Sequence, residues 1–333
     1  MSSNKQSCIH TIRDLQFEVV QLEDTYDIVR EIGEGDYGKV VLARHRPTRA
    51  EVALKGVPKS MTTFRDFLIE FHYSYFLSPH RSILDTYDVS FETSEYYYFA
   101  QEVAPHGDLL QAIEENGGME EKDLKIVVKQ ICSALEFMHS KELVHRDMRA
   151  ENVLLFTPDF TRVKLTDFGL TRRAGTLVKK RTRSLPTCPP EIWETVHLEG
   201  YHVEVGSDVW QMAMMIFIAL SCKFPWDKAD ITDPRFTEFV QWQKRKSTRI
   251  PKDFKKFSQR LLRMFRRMMD PKPSKRYPIT EVNKYLNDRW LIASIQRGAM
   301  KLEYPSLDPP KEQEDAKDVK EQRVQEWIVS SNS

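Results

Sequence analysis

The residues whose types and spacing suit chemistry are glycines, a lysine and carboxylates in a fixed order along the chain. Gly33-Glu34-Gly35-Asp36-Tyr37-Gly38-Lys39-Val40 fits the pattern GxGxxGxV, and glycines so spaced let backbone amides approach phosphate oxygens with no side chain in the way. Val52-Ala53-Leu54-Lys55 follows, with Lys55 17 residues after Gly38. A strand-borne ammonium there can neutralise phosphate charge. Glu70 stands fifteen residues beyond Lys55, on a stretch of helical period from which it could pair with Lys55 and hold it. Each feature alone is ordinary, a tight turn or a solvated charge; their order sets them apart. A dinucleotide fold would need a helix to start at the third glycine, whereas Lys39 to Arg44 has a strand pattern, and the Walker pattern with Ser or Thr after Gly-Lys is absent. Two further groupings are His145-Arg146-Asp147-Met148-Arg149-Ala150-Glu151-Asn152 and, fifteen residues after Asn152, Asp167-Phe168-Gly169.

The elements that must position these residues change character along the chain. Ile28 to Ile32, Lys39 to Arg44, Glu51 to Val57, Tyr87 to Phe91 and Tyr96 to Glu102 are short runs rich in Val, Ile, Tyr and Phe, which predict antiparallel strands. Between Thr62 and Leu77, Phe64, Phe67, Leu68, Phe71, Tyr75 and Phe76 recur at helical spacing. After Pro105 the pattern predicts helices over Glu120 to Ser140, Val209 to Leu220, Phe236 to Lys244 and Phe257 to Met269, with two short strand pairs after the first. Met1 to about Glu23 shows no period and reads as a flexible or loosely docked extension. Past Trp290 the chain carries Pro305, Pro309 and Pro310 and the charged run Lys311 to Arg323, and reads as a mostly solvated tail on which Val324, Trp327 and Ile328 are the candidate docking residues.

Composition bounds the rest. The 333 residues are 41% hydrophobic and 30% charged, enough for a sizeable core and too apolar for disorder through the bulk of the chain. Fifty basic residues against 49 acidic ones leave a net charge of +1, so no whole-molecule field recruits nucleic acid or an anionic membrane. Val209 to Leu220, about a dozen residues, is too short to span a bilayer, which needs about 20. The first residues lack the pattern of a secretory signal, and Cys8, Cys132, Cys188 and Cys222 contain no CxxC pair. The expected compartment is therefore the cytoplasm, with reduced thiols and no zinc site.

The string His145 to Asn152 resembles the catalytic loop of protein kinases, and Asp167-Phe168-Gly169, Pro189-Pro190-Glu191, Asp208-Val209-Trp210 and Arg276 follow as in that family. The resemblance covers about Tyr26 to Trp290. It implies an α+β, bilobal fold: an N-lobe over 26–104 and a C-lobe over 105–293, flanked by an extension (1–25) and a tail (294–333). Phe99-Ala100-Gln101-Glu102, Gly107-Asp108-Leu109, Arg162-Val163-Lys164-Leu165 and Phe224-Pro225-Trp226 are most similar to the Src-homology-3-binding-domain serine/threonine kinases. The implied activity is transfer of the γ-phosphoryl of ATP to protein Ser or Thr hydroxyls with Mg²⁺. The alternative is a pseudokinase or scaffold that binds nucleotide or partners without efficient transfer. By the resemblance, Asp147, Arg149, Lys55 and Glu70 are catalytic, and Asn152 and Asp167 are metal ligands. Nucleotide contacts fall on Ile32, Gly33, Glu34, Gly35, Asp36, Tyr37, Gly38, Lys39, Val40, Ala53, Lys55, Gln101, Glu102, Ala104 and Asp108. Glu102 with Val103 and Ala104 would form the adenine hinge, and Gln101 would line the back of the pocket. His145 would be structural, Glu191 would latch to Arg276, and Asp208 would anchor the loop from below.

Some positions depart from the family pattern. Arg149 and Ala150 stand where serine/threonine kinases carry Lys and Pro, Arg183 replaces Gly, and Pro189 replaces Ala. An Arg fork in place of a Lys point charge keeps the charge and changes its geometry. Ser184 supplies the hydroxyl expected before the Glu191 motif and favours Ser/Thr substrates. Six basic residues, Arg172, Arg173, Lys179, Lys180, Arg181 and Arg183, lie between Leu170 and Thr187 with no acidic one. With Arg146 they would await a phosphate on Thr176, Thr182 or Ser184, or attract an acidic substrate. The family name also implies a proline-motif-binding adaptor as a partner of the tail, which here has few prolines.

Overall fold

The computed structural model of the chain describes residues 9–35, 38–180, 185–196, 199–293 and 297–305. A four-residue helix α1 (Leu22–Thr25) leads into five strands, β1 (Tyr26–Gly35), β2 (Gly38–His45), β3 (Glu51–Pro58), β4 (Thr86–Glu92) and β5 (Tyr96–Gln101). They form an antiparallel sheet in the order β1-β2-β3-β5-β4. Alternation puts Val41, Ala43, Leu54, Tyr98 and Ala100 on the outer face with Tyr26 and Phe91, while Val40 pairs with Lys55 and faces the other way. Gly38 is required where it stands, since a Cβ there would lie 2.2 Å from the Gly56 carbonyl oxygen.

Helix α2 (Phe64–Leu77) crosses behind this sheet, capped by the Thr63 hydroxyl accepting from the Asp66 amide at 3.1 Å. Val57, Phe67, Phe71 and Phe99 form the core between helix and sheet. The large lobe follows with α3 (Leu109–Asn116), α4 (Glu121–His139), α5 (Pro190–Glu194), α6 (Gly206–Ser221), α7 (Pro234–Gln243) and α8 (Gln259–Met268). Its short strands pair antiparallel: β6 (Leu143–Val144) with β9 (Arg172–Arg173), β7 (Val153–Leu155) with β8 (Val163–Leu165), and β10 (Leu177–Lys179) with β11 (Gly200–His202). Helix α6 is buried on every side from Gly206 to Leu220, as a helix apolar all round must be. The α+β, two-lobed architecture is the expected one. Among the described residues no helix is long and apolar enough to cross a membrane.

The described parts of the two flanking segments depart from expectation. The stretch read as a loosely docked extension packs on the body over its described part: Ile9 is 3% exposed within the large-lobe core, and the Val20 amide donates to the Glu92 carbonyl at 2.8 Å. Its residues show no period because most of this stretch is neither helix nor strand. The start of the tail docks too. Leu302 is buried in the large-lobe core, and its amide donates to the Glu114 carboxylate at 2.8 Å. Val324, Trp327, Ile328, Pro309 and Pro310 lie outside the described residues.

The aromatic centre of the large lobe sets its stability. The Phe217 ring lies 4.9, 5.4 and 6.2 Å from Phe254, Phe257 and Phe265 and is fully buried. Phe217→Ala should destabilise the fold by about 3–5 kcal/mol, whereas Ile231→Ala, at a side chain 77% exposed, should cost under about 0.5 kcal/mol. Denaturant unfolding of the two variants checks the contrast, and equal losses would contradict this account of the core.

Candidate active site

The loop from His145 to Asn152 is pinned from below by α6. The buried Asp208 carboxylate accepts from the backbone amides of His145 (2.9 Å) and Arg146 (2.8 Å), and its Oδ2 lies 2.8 Å from His139 Nε2. Burial alone would push this carboxyl up; His139 and the two amides reverse that and hold it below the ordinary carboxylate value. One turn on, Gln211 accepts from the Met148 amide (3.1 Å) and donates to the Arg146 carbonyl (3.3 Å). Arg146 takes a left-handed backbone, φ +71°, a conformation that costs energy and persists because these bonds over-determine it. His145 donates from Nε2 to the Thr166 carbonyl (3.0 Å) and accepts the Asp147 amide at Nδ1 (3.2 Å). It braces the loop, with the buried Phe168 ring edge-on at 5.3 Å. Asn152 donates from Nδ2 to the Asp147 carbonyl (2.8 Å) and to its carboxylate (3.1 Å), so the other amide atom, an oxygen, is the one it can offer a cation.

Across the cleft, Lys55 on β3 meets Glu70 on α2 in a close ion pair and Asp167 Oδ1 at 3.0 Å. Asp167 is also left-handed, φ +66°. Burial works against all three charges. For Lys55, the Asp167 and Glu70 carboxylates outweigh burial and raise its pKa. For Asp167, Lys55 outweighs burial and lowers it. Burial dominates at Glu70 and pushes its carboxyl up, against the pull of Lys55. One cation therefore faces two carboxylates, with Asp147 across the cleft, a local excess of negative charge that suits a further cation. Among the described residues no cluster holds three or more His, Cys, Asp or Glu in ligand position. One carboxylate and one amide oxygen are hard donors, and they fit Mg²⁺ when substrate phosphates and water complete its octahedron.

At the back of the cleft the buried Gln101 donates to the Thr86 hydroxyl at 3.0 Å. Glu102 carries a side-chain bond that its expected hinge role did not include. Its carboxylate pairs with the buried Lys164 and accepts the Asp85 amide at 2.7 Å, so the side chain ties the lobe junction and only the backbone is left for a ligand. Asp108 caps α3, accepting from the Gln111 amide at 2.9 Å; burial raises its carboxyl against that bond. Lys39 needs correction: its ammonium sits over the Tyr96 ring at 4.8 Å, on the face opposite Lys55, so only its backbone can serve the site. Gly33, Glu34 and Gly35 pair with Val40, Lys39 and Gly38. Ile32 and Val40 are half-buried and Ala53 is buried on the adjoining strands, with Ala104 half-buried beyond β5. Asp36 and Tyr37 lie outside the described residues.

Arg149 is engaged differently from expectation. It pairs with Glu151, which also accepts the Tyr304 hydroxyl, and its guanidinium stands 5.8 Å from the Tyr304 ring centroid. Tyr304, Gln211 and His139 were not legible as site residues, whereas Asp208 was expected as the anchor of the loop. The Glu191–Arg276 pair is bidentate, 2.7 and 2.6 Å, with Arg276 bonding Gly206 and Asp270 carbonyls as well. Most of the described basic residues of this loop have partners already. Arg146 bonds the Leu170 carbonyl and the Tyr201 hydroxyl, both at 2.8 Å; Arg173 bonds Glu142 (3.0 Å), and Lys180 bonds the Trp193 and Thr195 carbonyls. Arg172 reaches Asp66 on α2. Thr176 is exposed, and Arg181, Thr182, Arg183 and Ser184 lie outside the described residues.

The family model described as protein kinase domain matches residues 26–291. The chain is 45% identical over 289 residues to the serine/threonine-protein kinase meng-po of Drosophila melanogaster, covering 86% of this chain and 63% of that protein. It is 40% identical over 284 residues to serine/threonine-protein kinase SBK1 of Danio rerio (85% and 73%), and 43% identical over 272 residues to SBK1 of Mus musculus (82% and 65%). The chain thus spans somewhat under two thirds of the length of the fly and mouse relatives.

The anchor under the loop is testable by pH. The Asp208 carboxyl titrates lower in the folded chain than unfolded, so its contribution is complete above the unfolded value of about 3.9 and is lost as pH falls through the folded value. Asp208→Asn should cost about 3–5 kcal/mol at neutral pH, with the gap to wild type closing under acid. Urea unfolding at a series of pH values reads this; a gap independent of pH would refute it.

Proposed function

Because the chain belongs to the protein kinase family and, within it, to the Src-homology-3-binding-domain serine/threonine kinases, we propose that it moves the γ-phosphoryl of ATP to Ser or Thr hydroxyls of proteins. The observation that carries this reading is the meeting of Lys55, Glu70 and Asp167 opposite Asp147 and Asn152, with the Lys55–Glu70 pair formed. Lys55, fixed between two carboxylates, offers its ammonium to the nucleotide phosphates, and the backbone of Gly33, Gly35 and Gly38 lines the other side. Asn152 and Asp167 would hold Mg²⁺, which supplies neutralisation of phosphate charge. Asp147, oriented by Asn152 and by its own amide on His145, orients the substrate hydroxyl and takes its proton. Catalysis of this kind is positioning and electrostatics, and the pinned loop supports both. The relatives are named serine/threonine-protein kinases, which supports hydroxyl acceptors on Ser and Thr. A cytoplasmic site of action and a proline-motif-binding adaptor on the segment from Pro305 are parts of the proposal that rest on sequence; cell fractionation and a pull-down with and without that segment decide them.

The test is transfer of labelled γ-phosphate to a Ser/Thr/Tyr peptide library, with sites read by mass spectrometry. Wild type should label Ser or Thr, and Asp147→Asn and Lys55→Met should each lower the rate by at least about 10²-fold. Equal background in all three, with the fold verified, would favour a scaffold.

A further inference from the structure

Helix α2 is enclosed on two sides. One side packs on the sheet and carries Glu70 to Lys55; the other is covered by residues 9–20, which precede the matched family region. Near the C-terminal end of α2, the Ile9 carbonyl accepts from His72 Nε2 at 3.1 Å, and Ile9 lies in the large-lobe core with Tyr73 and Leu77 of the helix. One step along, the Arg13 guanidinium rests 4.9 Å from both the Tyr75 and the Phe76 rings and pairs with Asp88 on β4 at 3.3 Å. At the N-terminal end, the Phe17 ring meets Phe64 and Phe67 edge-on at 5.2 and 5.6 Å, and Tyr97 of β5 at 6.4 Å. The strap then joins the sheet edge: the Glu92 amide donates to the Glu18 carbonyl at 3.1 Å, and Val20 to Glu92 at 2.8 Å.

These contacts run the length of the helix and tie it to the large-lobe core and to β4 and β5. They matter because a buried ion pair holds nothing firmly by itself: desolvation offsets much of its attraction, so Lys55 and Glu70 stay together only if α2 is kept in place by other means. We propose that residues 9–20 add to the sheet core of Val57, Phe67, Phe71 and Phe99 as that means, with Arg13 and Phe17 as positioning residues that hold α2 where Glu70 meets Lys55. The role in catalysis rests on the kinase reading; the role in placing α2 does not.

The full-length chain is compared with Arg13→Glu, Arg13→Lys and Phe17→Ala. Two readouts are taken: kcat and KM for peptide phosphorylation, and hydrogen exchange of α2 amides against those of α6. Arg13→Glu sets a carboxylate against two ring faces and Asp88 at a half-buried surface site, so it spares the core fold if Phe17→Ala does not. The expected result is a fall of about tenfold in kcat/KM and a rise of about tenfold in α2 exchange for Arg13→Glu, with α6 unchanged and Arg13→Lys near wild type. Unchanged α2 exchange in Arg13→Glu, or α2 and α6 loosening together, overturns the proposal. A wild-type chain that transfers no phosphate overturns the kinase reading instead, and the exchange comparison still decides the strap.

Discussion

One ammonium shared by two carboxylates is the constraint on which the cleft depends. Lys55 reaches Glu70 and Asp167 only if β3 holds its register between β2 and β5, if α2 lies close behind the sheet, and if the chain at Asp167 turns through a left-handed residue. Each condition is met by something remote from the charges. The register is set by alternating apolar residues, since a slip of one would turn Lys55 onto the outer face with Tyr98. The left-handed Asp167 is stabilised beside Phe168, whose buried ring stands against His145.

The large lobe solves the complementary problem of holding a polar loop over an apolar core. Helix α6 presents Asp208 and Gln211 one turn apart, and these two side chains take four polar groups of the loop backbone. A carboxylate fully removed from water survives there because every oxygen has donors. The same helix begins at Gly206, whose carbonyl receives Arg276, so the loop anchor and the Glu191 latch share one rigid element. Positioning by a buried helix is what catalysis by orientation requires.

Much of this was legible in the sequence, for identifiable reasons. Strands such as Lys39 to Arg44 are short runs rich in Val and other apolar residues, helices such as Glu120 to Ser140 have a long, clean period, and the glycines, Lys55, Glu70, Asp147, Asn152 and Asp167 keep fixed order. Helices α3 and α5, eight and five residues long, give too few turns for a period to show. The outward turn of the Lys39 ammonium was not legible because a motif names a position and does not say which face of the strand its side chain takes. Gln211 is an ordinary polar residue in an apolar run; only the fold shows that it faces the loop. The docking of residues 9–20 and of Leu302 and Tyr304 was missed because segments that are neither helix nor strand have no repeat to read.

Those docked segments bear on how the site works in this chain. The matched family region stops at residue 291, yet Tyr304 bonds Glu151 inside the catalytic loop, and Arg149 pairs with the same carboxylate oxygen. Burial and the Glu151 charge push the Tyr304 hydroxyl pKa up, so it stays a protonated donor. Burial would lower the Arg149 pKa, and Glu151 more than reverses it, so the guanidinium stays charged. Two donors on one oxygen divide its charge, and Glu151 holds Arg149 less tightly than it would alone. An Arg fork in a place where the family usually has Lys can bond Glu151 with one nitrogen and still present others to the cleft, which a single ammonium does less well. The substitution at Arg149 and the docking of Tyr304 are therefore one arrangement, and the unit that shapes the catalytic loop extends to the tail.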